Sequence, residues 1–226
     1  MESRLAETTT GPRIHFFRLA ESAGNAGEVT FHPAEITLTA RGRAQAQRIA
    51  DHYSGRPTLI VVSPYIRTHQ TAAPLIARFP DVPVEQWPIQ EFTYLEPESC
   101  IGSSLADRLP RVQRYWTSAS PDERDGPTAE SFSDLIRRAG QFRTRLEALP
   151  VGTHAAVFSH GQFLQALRLL VHFPTLHHSG MKQAFQLLDQ TSPFQNGAHL
   201  EGVIFERQLA LLERLSATFI RIALGD

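Results

Sequence analysis

Thr58-Leu59-Ile60-Val61-Val62-Ser63-Pro64 decides the fold class. Its aliphatic and β-branched residues run on without polar alternation, as is typical of a strand buried on both faces. Ser63-Pro64 then supplies an N-cap followed by proline in the first helical turn, so the strand should pass directly into a helix running to about Phe79. Arg13-Ile14-His15-Phe16-Phe17-Arg18 repeats the plan as a second apolar strand, followed by a loop rich in Gly, Asn and Ser. Thr153 to Phe158 gives a third, running at once into a helix from Gln162 to His172. A helix is also expected from Thr39, its N-cap, to Tyr53, with Gly55 and Pro57 closing it. Another spans Ala129 to Leu149, on the spacing of Phe132, Leu135, Ile136, Phe142 and Leu146.

Strands alternating with helices predict an α/β fold, a three-layer α/β/α sandwich with a mostly parallel central sheet and ligands gathered at the carboxyl ends of its strands. Residues 1–226 read as a single domain, with 1–12 as a flexible leader and about 92–128 as a lid-like insertion around a short helix from Ser104 to Trp116. Near the end, Val203-Ile204-Phe205 reads as a strand, after which periodicity leaves helix or strand open.

A chain of 226 residues with 42% hydrophobic content can bury one substantial core. With 22 Lys and Arg against 23 Asp and Glu, the net charge is -1, which argues against nucleic acid or an anionic membrane as partner and makes any anion site local. The single cysteine, Cys100, excludes an internal disulfide and points to the cytoplasm, and no segment reaches membrane-spanning length, so a soluble protein is expected. Neither cofactor nor metal is expected: no cysteine pair has zinc-ligand spacing, and the adjacent His177 and His178 do not favour joint coordination and read as surface or lid residues. Oligomeric state has no signature in the sequence.

Each of three strand ends carries residues suited to a phosphate group: Arg18 with Glu21, Ser22 and Asn25; Ser63, Pro64 and Arg67; Ser159, His160 and Gly161. Helix N-termini offer unpaired N–H groups and positive dipole charge, and arginine offers a planar fork matching two phosphate oxygens. Alone, an arginine at a strand end is more often a surface ion pair, and Ser-His-Gly more often a turn. Their equivalent placement in successive β–α units makes the set informative.

Phe17-Arg18-Leu19-Ala20-Glu21-Ser22-Ala23-Gly24-Asn25 resembles the opening Arg-His-Gly/Ala-Glu-Ser-x-x-Asn motif of the histidine phosphatase (phosphoglycerate mutase-like) superfamily, with Leu19 in place of the histidine. Leu38-Thr39-Ala40-Arg41-Gly42 through Gln45-Ala46, Ser63-Pro64 through Arg67 to Gln70-Thr71-Ala72, Ala129-Glu130-Ser131-Phe132 and Phe158-Ser159-His160-Gly161 are similar to its later motifs, in the expected order. The resemblance implies phosphomonoester hydrolysis through a phosphohistidine, with a small phosphorylated molecule as partner. It also implies that Arg18, Arg67 and His160, with Ser22 and Asn25, hold the phosphate oxygens, and that a carboxylic acid, Glu91 with Glu96 in reserve, protonates the leaving alcohol. The plainer reading of both glutamates is exposed loop carboxylates.

Leucine has no lone pair and cannot attack phosphorus, so at Leu19 the resemblance implies turnover reduced by on the order of 10⁴ to 10⁶. His15 is no substitute, lying four residues upstream, about 13 Å away along a strand. His69, two residues past Arg67 on a helix, should face away. Arg111 and Arg114 fit an amphipathic helix better than a contact with a substrate tail. The sequence therefore predicts a phosphate-ester-binding protein with strongly impaired hydrolysis; the alternatives are a non-catalytic sensor, or a fold recruited for acid/base chemistry with Glu91 and His160.

Overall fold

The computed structural model describes residues 11–117, 120–176 and 178–213. A sheet of six strands runs in the order β3-β2-β4-β1-β5-β6. Strands β1 (Arg13–Arg18), β2 (Leu59–Val62), β3 (Val84–Gln86) and β4 (His154–Ser159) are parallel, and β5 (His199–Phe205) and β6 (Gln208–Leu211) extend the sheet antiparallel beyond β1. The helices are α1 (Ala40–His52), α2 (Ile66–Arg78), α3 (Leu105–Thr117), α4 (Phe132–Glu147), α5 (Gly161–His172) and α6 (His178–Thr191).

Successive strand residues point to opposite faces, and two cores result. Phe17, Ile60, Val62, Ala156 and Phe158 pack with Ala50 of α1 and with Ala72 and Leu75 of α2. Ile14, Phe16, Leu59, Val61, Ala155 and Val157 share the other core with α4, α5 and α6 through Phe142, Phe163 and Phe185. These are the expected three layers, and all four residues of β2 are buried, as an interior parallel strand requires.

Side-chain hydrogen bonds to backbone brace the loop after β1. Thr71 Oγ1 accepts from Ala20 N at 3.1 Å, Gln45 Oε1 from Glu21 N at 2.8 Å and Gln70 Oε1 from Leu38 N at 2.8 Å, while Thr39 donates to Glu21 Oε1 at 2.8 Å. Many residues of the recognisable motifs therefore hold the loop rather than a ligand. Gly42 belongs with them, because a Cβ there would lie 2.0 Å from the carbonyl oxygen of Glu21. Since that atom is backbone, Gly42→Ala must push α1 off the loop. A loss of about 1–3 kcal/mol is expected, read as a lower urea midpoint at unchanged m-value.

The structure departs from the sequence reading in several places. Helix α2 begins at Ile66 with Tyr65 as N-cap, not at Ser63-Pro64, because the Ser63 hydroxyl is engaged by Thr68 and His160. Strand β5 starts at His199; the polar His199 and Glu201 conceal the buried alternation of Leu200, Gly202 and Ile204. β3 and α6 were not expected; of the tail left open after β5, Gln208–Leu211 is strand β6 and residues 214–226 lie outside the described residues. At the start, residues 1–10 lie outside the described residues, while Gly11 and Pro12, expected in a flexible leader, are held to β5: Ile204 N donates to Pro12 O at 2.9 Å.

The insertion is packed down. It buries Phe92, Leu95, Cys100 and Tyr115 in the larger core. Arg111 and Arg114 both pair with Asp125, which gives them a bracing role inside the insertion. Buried Lys182 of α6 donates to the carbonyls of Tyr115 and Ser120. His177 lies outside the described residues. Among the described residues no helix is long and apolar enough to cross a membrane.

Candidate functional site

The carboxyl ends of β1, β2 and β4 deliver Arg18, Ser63 and His160 side by side in the sheet. His160 is the N-cap of α5 and fully buried. Its Nε2 lies 2.7 Å from Ser63 Oγ, which also contacts Thr68 Oγ1 at 3.0 Å, and the Tyr65 ring meets the imidazole edge-on at 5.3 Å. His160 Nδ1 is buried without a hydrogen-bond partner among the described residues. Burial, and then the positive fields of Arg67, Arg138 and Arg18, hold its pKa well below the ordinary histidine value, so the ring is neutral.

That depression has a sign for stability. An unfolded His160 gains a proton near pH 6.5 and the folded one resists, so between those two pKa values the unfolded chain binds more protons. The contribution is complete above about pH 6.5 and is lost as the pH falls below it. His15 and His199 are lowered too and act in the same direction. The urea midpoint should therefore drop between about pH 7 and 5.5, and His160→Gln should make that drop smaller.

Arg67, on the first turn of α2, is only 7% exposed, donates to Pro33 O at 2.6 Å and lies 4.7 Å over the Tyr65 ring. Arg18 donates from Nη1 to Phe194 O, and its buried Nε has no hydrogen-bond partner among the described residues. Its guanidinium rests on Gly161, where a Cβ would come within 3.2 Å of Nε, so the glycine of Ser-His-Gly lets the arginine approach the start of α5. The two guanidinium groups repel each other, an arrangement that an anion between them would relieve.

Glu91 joins them. Its Oε1 accepts from Phe92 N at 3.1 Å, Gln162 N at 3.0 Å and Phe163 N at 3.3 Å, so a carboxylate of the protein occupies the α5 N-terminus expected to receive a ligand. Burial pushes its carboxyl above the usual range, against the pull of Arg18, Arg67 and the Phe92 N–H. Glu91 thus retains a proton more readily than an ordinary glutamate, the property a general acid needs. It lines a cavity of about 180 Å³ with Tyr65, Arg67, Phe31, Tyr94 and Leu105, among others.

Other sequence candidates are differently placed. Glu96 accepts from Thr128 Oγ1, Thr128 N and Ala129 N inside the insertion, and these donors, the Thr128 hydroxyl first, hold its carboxyl below the usual range. It is therefore a loop staple; of the two glutamates, Glu91 is the one in the field of Arg18 and Arg67. Ser22 N and Oγ both donate to Asn25 Oδ1, at 3.3 and 2.9 Å, closing a turn that shapes the loop. Leu19 is 3% exposed in an aliphatic cluster with Ala20, Leu38 and Ala46. His15 contacts His199 rather than this site.

The sequence reading missed Arg138, whose fork grips both oxygens of Glu130 and whose Nη1 donates to Pro88 O and Gln90 O, fixing the approach to Glu91. It also missed Asp189 of α6, which accepts from Gln162 at 3.1 Å and lies in the field of Arg18. Neither is signalled by local spacing, since both depend on contacts between elements far apart in the chain.

The family model for the histidine phosphatase superfamily (branch 1) matches residues 14–192. An uncharacterized protein of Mycobacterium tuberculosis is 27% identical over 202 residues, covering 88% of this chain and 98% of that relative. Among solved structures, the alpha-ribazole phosphatase of Shigella flexneri aligns with a TM-score of 0.68 at 20% identity, over 90% of this chain and 96% of that one. A histidine-to-alanine mutant of phosphoserine phosphatase from Entamoeba histolytica, in complex with phosphoserine, aligns with a TM-score of 0.68 at 17% identity, over 92% and 99%.

Proposed function

The chain belongs to the histidine phosphatase superfamily, and on that premise we propose that it binds a small phosphate monoester between Arg18, Arg67 and His160 and hydrolyses it very poorly, because Leu19 stands where the superfamily's phosphoryl-accepting histidine would be. The observation that carries this reading is the placement of Arg18, Arg67 and neutral His160 at the carboxyl ends of neighbouring strands and the helix starts that follow, where the two guanidinium groups repel each other and Glu91 offsets them in part.

In the reaction of the lineage, a histidine attacks phosphorus and divides one difficult displacement into two easier ones. Here the arginine forks bind and orient the ester's oxygens and offset charge growing on them. Glu91 carries a proton to the leaving alcohol. Leu19 presents only aliphatic carbon to the phosphorus, so no covalent intermediate forms and slow direct attack by water remains. Ser22 and Asn25 act through the loop they close.

The complex of the Entamoeba protein supports the reading, since a phosphoserine phosphatase altered at a histidine was found with phosphoserine bound. A cytoplasmic location fits the single, buried, unpaired Cys100. Calorimetry with phosphoserine and an aryl phosphate, paired with a phosphate-release assay on the same samples, tests the proposal. Saturable binding with turnover at the level of an unfolded control is expected; rapid release, or no binding of any ester, contradicts it.

A further inference from the structure

We propose that His15, His199 and Glu201 form a binding site for a divalent first-row transition cation of the zinc class, on the sheet face away from the insertion. Residues 15 and 199 are 184 positions apart in sequence, and the antiparallel pairing of β1 with β5 brings them together. Glu201 is the direct register partner of His15, and His199 is opposite Phe17, so all three side chains stand on one face.

The same three atoms define every edge of the cluster. His15 Nδ1 lies 2.9 Å from His199 Nε2, and Glu201 Oε1 lies 3.8 Å from the first and 3.9 Å from the second. A point equidistant from atoms so spaced is about 2.1 Å from each, which is the length of a zinc–nitrogen or zinc–oxygen bond. The carboxylate is beyond hydrogen-bond reach of either ring; the two rings lie 13° from parallel with centroids 5.1 Å apart, so their nitrogens face each other in a contact that a cation would replace. Two imidazoles and a carboxylate suit zinc and its first-row neighbours, whereas calcium and magnesium take oxygen ligands.

The rings are held in place before any cation arrives. His199 stacks on Phe17 at 4.7 Å between centroids, and the Tyr53 ring meets His15 edge-on at 5.2 Å. Burial lowers the pKa of both histidines, leaving the neutral imidazole that coordinates metal. Both line a cavity of about 400 Å³ with Gln45, His52 and Asn196, which leaves room for a water or ligand atom in a fourth position. Bound there, the cation would tie β5 to the strand that ends in Arg18, three residues beyond His15.

The test is titration of the full chain, freed of metal by chelation, with Zn²⁺ by calorimetry and with Co²⁺ by visible absorption. One equivalent should bind, and cobalt should give the intense visible bands of a tetrahedral site. His199→Phe keeps a ring against Phe17 but removes a ligand, and should weaken binding by at least the ~10- to 100-fold lost when a mere outer partner is removed. Should that variant fail to fold, the half-exposed Glu201→Gln supplies the same comparison. Absence of binding in the unaltered chain, or an affinity unchanged in the variants, overturns the proposal and leaves the two histidines as a hydrogen-bonded pair.

Discussion

Leu19→His is expected to raise phosphate release from an aryl phosphate by about 10⁴-fold or more, the order of magnitude by which enzymes fall when a covalent nucleophile is removed. On the proposed reading the variant would join paired guanidinium groups, His160 and a Glu91 whose burial raises its pKa. The change also has a cost. Leu19 is 3% exposed among Ala20, Leu38 and Ala46, and an imidazole lacking a partner there should lose about 1–3 kcal/mol of stability. A measurable fall in melting temperature with a large gain in turnover is the predicted pair of results. A folded variant without any gain would contradict the assignment of Leu19 to the nucleophile position.

Arg67→Ala should weaken phosphate-ester binding by roughly 30- to 1,000-fold, or about 2–4 kcal/mol, as expected for removing a buried, charge-assisted fork. Arg67→Lys should recover part of the loss, since lysine restores the charge without the bidentate geometry. Stability should respond differently. Arg67 feels the repulsion of Arg18, but it also offsets Glu91, donates to Pro33 O and covers the Tyr65 ring, so its truncation should lower the melting temperature modestly even without ester present. An anionic ligand between the two guanidinium groups would relieve the repulsion that Glu91 offsets in part. Calorimetry with phosphoserine and thermal unfolding of the same samples separate the two effects.

The sequence revealed the layers because their residues obey local rules. β2 is apolar throughout, the buried positions of α4 recur at helical spacing, and Thr39 and Ser131 cap their helices as their side chains allow. It concealed α6, β3 and the start of β5, whose identity depends on pairing with distant segments. The placement of the candidate residues follows from topology in the same way. Arg18, Arg67 and His160 sit at equivalent ends of β–α units, which topology alone brings together. Whether a motif residue holds ligand or holds backbone was not legible: Glu21, Gln45, Gln70 and Thr71 brace the first loop, and Ser22 and Asn25 close a turn on each other. Which of Glu91 and Glu96 lies near the arginines was likewise not legible, since Glu96 is held by Thr128 and Ala129 within the insertion while Glu91 reaches the start of α5.

The most direct trial of the account is a crystal structure of the unaltered chain grown with inorganic phosphate. It predicts a tetrahedral anion within hydrogen-bond distance of Arg18, Arg67 and His160, with the side chain of Leu19 in van der Waals contact with it and no bond to phosphorus. Phosphate bound elsewhere, or the two guanidinium groups turned to separate surfaces with nothing between them, would contradict it.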